Sequence, residues 1–94
     1  MARDDTVTLT AGAWTQLTNG DVTNITFQNR SDYDMFIAGT TDATAPTDFS
    51  DALKYGPGMG EKNAAMTDLF PGLSGGDRVY AYSKEAIDVR VSHA

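Results

Sequence analysis

The sequence predicts an all-β fold, a small antiparallel β-sandwich or barrel-like domain of about six to eight strands. Two observations predict it. Threonine-rich segments that alternate between apolar and polar residues recur near both ends of the chain, and Asn19-Gly20 marks a tight turn between two such segments. Between the end regions, residues 40–77 form a long loop-rich insertion. The 94 residues fit a single domain, 1–94, because one core typically occupies about 100 to 150 residues.

The Asn19-Gly20 dipeptide predicts a β-hairpin. Asn-Gly is preferred in two-residue type I′ turns, since both of its positions need a positive φ. The flanking residues 14–18 and 21–27 alternate between apolar and polar side chains, as strands with one buried face do. We therefore expect these two segments to pair with each other in one sheet.

The length of this turn sets the register of the predicted hairpin. A two-residue loop pairs Trp14 with Ile25 and Leu17 with Val22. Trp14, Ile25 and Phe27 then share one face, which we expect to be the core. Leu17 and Val22 fall on the opposite face near the turn.

Four further strands are predicted at residues 6–10, 34–39, 78–82 and 87–92. The second of these is apolar on both faces, which is typical of a central strand. The last two flank a loop at 83–86 and are expected to form a second hairpin. That hairpin would place two tyrosines on the same side as three aliphatic residues: Tyr80 and Tyr82 with Ile87, Val89 and Val91.

The insertion at residues 40–77 is rich in Gly, Pro, Ala, Asp and Thr. A weakly periodic segment of this length inside a small domain is typical of functional loops. We expect a short strand or turn within 49–55, and one helical turn at 66–70 that Pro71-Gly72 ends. Large apolar residues in these loops indicate either a partner interface or a cap over the open end of the core: Phe49, Tyr55, Met59 and Phe70.

Composition argues against several classes of partner. The formal net charge is −6, and the seven Lys and Arg residues form no cluster, so nucleic-acid binding is not expected. The N-terminal residues are polar and lack the apolar segment of a signal peptide. The longest apolar run, at 35–38, is too short to cross a bilayer. We expect a protein made in the cytoplasm that binds no membrane.

The sequence offers little for catalysis. There is no cysteine, and the single histidine, His93, lies beside the C-terminus, where we expect fraying. The carboxylates at 32–34 and 48–51 lack a calcium-loop pattern, and nothing selects an acid-base pair for a glycosidase. The glycines at 56, 58 and 60 indicate a mobile or tightly folded loop, since no strand-then-helix context follows them. We therefore expect no enzyme activity, metal or cofactor.

Several segments, taken in order, resemble the small β-rich virion proteins of tailed bacteriophages, which are capsid decoration proteins or other head and tail accessory proteins. The segments are 7–10 (VTLT), 22–29 (VTNITFQN), 39–47 (GTTDATAPT), 68–72 (DLFPG), 78–81 (RVYA) and 89–93 (VRVSH). The resemblance implies a virion structural protein, often a symmetric homo-oligomer, that binds the assembled shell of the major capsid protein, or another virion protein, and stabilises it. Residues 40–77, alone or together with the polar N-terminal arm, would make the contacts, and the sandwich would hold them in place.

A carbohydrate-binding or receptor-binding module of a phage tail is the alternative. Such a module would use Trp14 or the tyrosines as a platform on which sugar rings stack. The hairpin register argues against it, because it places Trp14 in the core. A solvent-exposed Trp14 lying coplanar with Tyr33 or Tyr55 would favour it.

Overall fold

The computed structural model describes residues 3–18, 22–40, 52–70 and 78–93. Within these ranges it has eight strands and one helical turn, so the predicted all-β fold is confirmed. The elements are β1 (Arg3–Thr8), β2 (Trp14–Gln16), β3 (Asn24–Asn29), β4 (Met35–Thr40), β5 (Leu53–Tyr55), β6 (Gly60–Ala65), α1 (Met66–Leu69), β7 (Arg78–Tyr82) and β8 (Asp88–His93).

The strands form two antiparallel sheets of four strands each. Sheet 1 has the order β1-β8-β3-β6, and sheet 2 has the order β2-β7-β4-β5. Strands β3 and β8 and the first half of β4 bury alternate residues, as a sandwich requires. The core residues are Leu9, Leu17, Val22, Ile25, Phe27, Met35, Ile37, Tyr55, Met66, Val79, Ala81, Ile87, Val89 and Val91.

The predicted hairpin between residues 14–18 and 21–27 is wrong. Strand β2 pairs with β7, and Trp14 lies opposite Tyr82. Strand β3 lies in the other sheet, between β8 and β6. The chain therefore crosses from sheet 2 to sheet 1 in this region, and Trp14 does not pair with Ile25. Asn19 and Gly20 lie outside the described residues.

Because the chain crosses between the sheets, the residues on either side of the crossing do not all lie on the faces that the hairpin register predicted. Ile25 and Phe27 are buried in the core, as predicted, but so are Leu17 and Val22, which the hairpin register placed on the opposite face. The Leu17 amide donates to the carbonyl oxygen of Val79 at 2.8 Å and extends the pairing of β2 with β7. A residue at a crossing between sheets can point into the core whatever the local alternation predicts.

The C-terminal strands were predicted with nearly correct bounds but with the wrong partners. Strand β7 belongs to sheet 2 and β8 to sheet 1, so they do not form a hairpin. Tyr80 pairs with Gln16 and Ala38, whereas Val89 pairs across sheet 1. As a result Tyr80 and Tyr82 lie on the outer face of sheet 2, away from the aliphatic residues of β8 that fill the core.

Other elements match the predictions more closely. Strand β4 is central in its sheet, with Met35 and Ile37 fully buried. Strand β5 falls within the predicted segment 49–55, and α1 occupies the predicted helical turn. Strand β6 was not predicted because its sequence, GEKNAA, contains no β-branched or aromatic residue. It forms because it pairs with the buried strand β3.

Candidate functional site

The outer face of sheet 2 carries a row of aromatic side chains. Trp14 lies opposite Tyr82, and Tyr82 lies opposite Phe36, so the row crosses strands β2, β7 and β4. All three side chains are half-buried. The rings of Trp14 and Tyr82 are 5.4 Å apart and tilted by 47°. Trp14 is therefore not a core residue, contrary to the hairpin prediction, and its nearest aromatic neighbour on this row is not coplanar with it.

A buried asparagine organises the adjacent end of the sandwich. Asn29 ends β3 on its inward face and is completely buried. Its side-chain nitrogen donates to the carbonyl oxygens of Tyr33 at 2.6 Å, Gly56 at 3.2 Å and Tyr55 at 3.3 Å. Its side-chain oxygen accepts from the Ser31 hydroxyl at 2.7 Å and the Ser31 amide at 3.0 Å. One side chain thus ties the loop after β3 to the turn after β5.

The Asn29 network holds an exposed tyrosine in place. Tyr33 is 53% exposed, although its carbonyl oxygen is bound by Asn29 and its amide donates to the Ser31 hydroxyl at 3.2 Å. A large aromatic side chain that faces solvent from a fixed backbone is typical of a binding residue. Sequence analysis named Tyr33 only as a possible companion of Trp14 in a sugar platform and did not select it as a partner-interface residue.

Tyr33 borders a cavity of about 360 Å³ at this end of sheet 2. Phe36, which belongs to the aromatic row, lines the same cavity. The remaining lining comes from the loop before β4, from β5 and from the loop between β7 and β8: Asp34, Lys54, Ser83, Lys84 and Glu85. The cavity therefore combines two aromatic rings with two carboxylates and two ammonium groups.

Hydrogen bonds fix part of the polar lining. Lys54 lies 3.4 Å from the carboxylate of Asp34. The buried hydroxyl of Ser83 donates to the carbonyl oxygen of Asp34 at 3.0 Å and accepts from the Glu85 amide at 3.2 Å. The two loops that border the cavity are thus joined through Ser83.

Of the four residues predicted as a partner interface, three lie in the described ranges, and only Met59 among these is exposed. Tyr55 is buried in the core, Phe70 is partly buried against it, and Met59 is 54% exposed. Phe49 lies outside the described residues. Tyr55 and Phe70 therefore fit the alternative role of covering the core. Leu53, 37% exposed in β5, is a further exposed apolar residue that sequence analysis did not select.

Tyr55 instead has a structural role. Its ring packs edge-on against Phe27 at 5.0 Å, and its hydroxyl donates to the Glu61 carboxylate at 3.1 Å. Burial, together with the hydrogen bond and charge of Glu61, raises the pKa of Tyr55 to about 12. The neutral phenol is therefore the form that holds β5 against β6 in the pH range of most assays.

The glycine segment forms a tightly folded turn, one of the two forms predicted for it. The Met59 amide donates to the carbonyl oxygen of Gly56 at 3.1 Å, and Gly58 has φ of +76°. The Gly58 amide donates to the carbonyl oxygen of Asn29 at 2.9 Å. A Cβ at Gly60 would clash with the carbonyl oxygen of Phe27. These glycines allow β6 to approach β3 closely.

His93 is part of β8 and is 8% exposed, so the prediction of a frayed histidine is wrong. It pairs with Arg3 across sheet 1 and lines a second concavity of about 480 Å³. The other lining residues there are Thr23, Asn24, Ile25, Thr26, Asn63 and Ser92. Among the residues that the structure describes, no group of three or more His, Cys, Asp or Glu side chains could hold a metal ion.

No helix in the described ranges is long and apolar enough to cross a membrane. Comparisons with family models, with curated proteins and with solved structures gave no match for this chain.

Proposed function

We propose that this chain is a bacteriophage virion structural protein, a capsid decoration protein that binds the assembled shell of the major capsid protein and stabilises it. The proposal rests on the resemblance of its segments to small β-rich virion proteins. It is supported by a small sandwich in which two of the three exposed large hydrophobic residues of the described ranges lie on a short segment whose backbone is held by hydrogen bonds. Binding of this kind needs no catalytic group.

The proposed contact surface runs from β5 through the following turn. Leu53 and Met59 are two of the three exposed large hydrophobic residues in the described part of the chain. Exposed large apolar side chains of this kind are typical of the centre of a protein interface. This surface falls within the loop-rich region, 40–77, expected to contact the partner.

The backbone of this segment is held before any partner binds. Asn29 binds the carbonyl oxygens of Tyr55 and Gly56, and its own amide donates to the carbonyl oxygen of Met59 at 2.9 Å. A preformed surface loses little conformational entropy on binding, so more of the contact energy appears as affinity. This bracing is the single observation that favours the turn as a docking surface.

Co-sedimentation with undecorated capsids tests the proposal. The purified protein should pellet with the shells at low and at moderate salt, and it should raise the temperature at which the shells disassemble. Met59→Asp should weaken binding by about tenfold or more, because it places a charge at the centre of the interface. Thr6→Asp is the matched control, since Thr6 is exposed on β1 of the other sheet.

The outcomes of this experiment test the proposed decoration function and the proposed contact surface separately. Failure of the unaltered protein to pellet with shells under both salt conditions would overturn the decoration function. Binding by Met59→Asp at the level of Thr6→Asp would leave the function standing and move the contact elsewhere. Light scattering of the free protein measures whether it is the homo-oligomer that the resemblance implies.

A further inference from the structure

We propose that the cavity between Tyr33 and Phe36, at the Asn29 end of sheet 2, binds a neutral saccharide. This inference does not depend on shell binding, because the proposed docking residues Leu53 and Met59 do not line the cavity. The sequence alone indicated an open platform formed by Trp14 or the tyrosines, whereas the cavity is a walled site lined by Tyr33, Phe36 and charged side chains.

The dimensions of the cavity suit a small ligand. Its volume of about 360 Å³ falls in the range of roughly 300 to 1,000 Å³ that is usual for small-molecule sites. It opens at the end of the sandwich where the loop after β3 and the loop after β7 meet. Ser83 joins these two loops through Asp34, so the walls are fixed relative to each other.

The aromatic groups provide the surface against which a sugar ring packs. Tyr33 exposes half of its side chain beside the cavity, and Phe36 is half-buried within the lining. The apolar C–H face of a pyranose buries area against such rings, while the tyrosine hydroxyl stays available for a hydrogen bond. The bonds from Asn29 and Ser31 to the Tyr33 backbone reduce the entropy lost when the ring becomes ordered.

The charges of the lining favour a neutral ligand. The carboxylates of Asp34 and Glu85 balance the ammonium groups of Lys54 and Lys84. A site with no net charge gains little from an ionic ligand, but it offers acceptors and donors to neighbouring hydroxyls of a sugar. Lys54 and Asp34 already lie 3.4 Å apart, which places a donor and an acceptor side by side.

The aromatic row extends the site in one direction. Phe36 lines the cavity and stands opposite Tyr82, which stands opposite Trp14. Adjacent strands are about 4.8 Å apart, so the row leads away from the cavity across three strands. An oligosaccharide of several units would contact this row, and a monosaccharide would contact the cavity alone. We therefore expect affinity to rise with chain length.

Calorimetric titration with neutral hexasaccharides of glucose, galactose, mannose and N-acetylglucosamine tests the inference. At least one should bind, and its monosaccharide should bind more weakly. Tyr33→Ala should weaken that binding by about tenfold, whereas Tyr33→Phe should retain most of it. Chemical shifts of residues 33–36, 54 and 83–85 should move on titration. Thr6→Asp, on the exposed side of β1 in the other sheet, is the matched control and should bind the sugar as the unaltered protein does.

Two results would overturn the inference. One is the absence of binding to every neutral oligosaccharide at millimolar concentration by a folded protein. The other is binding that Tyr33→Ala leaves unchanged, or that only a charged saccharide or a peptide produces. Shell binding is measured with the same variants. Loss of sugar binding in Tyr33→Ala with shell binding intact would show that the two surfaces are distinct. Because the two assays are separate, failure of one proposal can be recognised whether or not the other holds.

Discussion

The side-chain nitrogen of Asn29 lies 2.6 Å from the carbonyl oxygen of Tyr33 and donates to it. This bond links the most exposed ring beside the cavity to a completely buried side chain. Asn29 also binds the carbonyl oxygens of Tyr55, the last residue of β5, and of Gly56, so both proposed binding surfaces depend on it. The side-chain amide of Asn29 donates to carbonyl groups that have no partner in a strand, as backbone N–H groups do within a sheet.

Asn29→Ala should destabilise the protein by about 3 kcal/mol, because it leaves several carbonyl groups and Ser31 without their partner. The free energy of unfolding in urea measures this. Asn24→Ala is the matched control in the same strand. Asn24 is exposed and makes a 3.4 Å contact with the carbonyl oxygen of Asn63, so its loss should cost less than about 0.5 kcal/mol. Equal effects of the two substitutions would show that the Asn29 network does not stabilise the fold.

Gly60→Ala should also destabilise the protein, by about 2 kcal/mol or more, because the new Cβ would meet the backbone of Phe27 and Gln28. The backbone of β3 cannot yield as a flexible side chain would. At Gly56 a Cβ would lie 3.5 Å from the sulfur of Met59 and 3.6 Å from a carboxylate oxygen of Asp34. Gly56→Ala should therefore change stability by less than about 1 kcal/mol. Thermal melts of the two variants compare the positions directly, and a harmless Gly60→Ala would contradict the close approach of β6 to β3.

Sequence patterns predicted most strands but not their partners. Alternation identified β3 and β8 because each buries one face, and that signal is local. Whether two successive strands pair with each other or lie in opposite sheets depends on non-local contacts. The segment around Asn19-Gly20 therefore looked like a hairpin although β2 and β3 belong to different sheets.

The candidate site was harder to predict than the fold. Asn29 continues the inward alternation of Ile25 and Phe27, so a polar residue on a core face was a signal that could have been used. Tyr33 and Glu85 come from separate loops, and only the sandwich brings them to one cavity. Tyr55 was selected because it is large and lies in loop-like sequence, yet its position in β5 directs it into the core.

Stability should fall as the pH rises from 10 towards 12. The ordinary pKa of a tyrosine is 10.0, and that of Tyr55 is raised to about 12 by burial and by Glu61. Between these values the folded protein keeps the phenol proton while the unfolded chain has released it, so alkaline pH favours unfolding. The contribution of the Tyr55 phenol to the free energy of unfolding is complete below pH 10 and is lost as the pH approaches 12. Midpoints of urea denaturation measured between pH 8 and 12 give the dependence of stability on pH.

Two substitutions assign this slope to Tyr55. Tyr55→Phe removes the proton and should give a shallower decline over the same range. Glu61→Gln removes the carboxylate while leaving the burial, so its decline should lie between those of Tyr55→Phe and the unaltered protein. A Tyr55→Phe profile that parallels the unaltered protein would show that the alkaline decline comes from other groups.

A pair of cysteines can test directly which strand lies beside β2. Thr15 and Ala81 are opposite each other in the pairing of β2 with β7, and antiparallel partners have Cα atoms about 5 Å apart, within disulfide range. The chain contains no other cysteine, so Thr15→Cys/Ala81→Cys should oxidise to one intramolecular disulfide and raise the thermal midpoint.

Thr15→Cys/Asn24→Cys is the control, since an Asn-Gly hairpin would place those residues opposite each other. They lie in different sheets, and packed sheets are about 10 Å apart, so this pair should stay reduced. Free-thiol assays on both variants decide the matter: a disulfide in the control and free thiols in the first pair would restore the hairpin and place Trp14 beside Ile25.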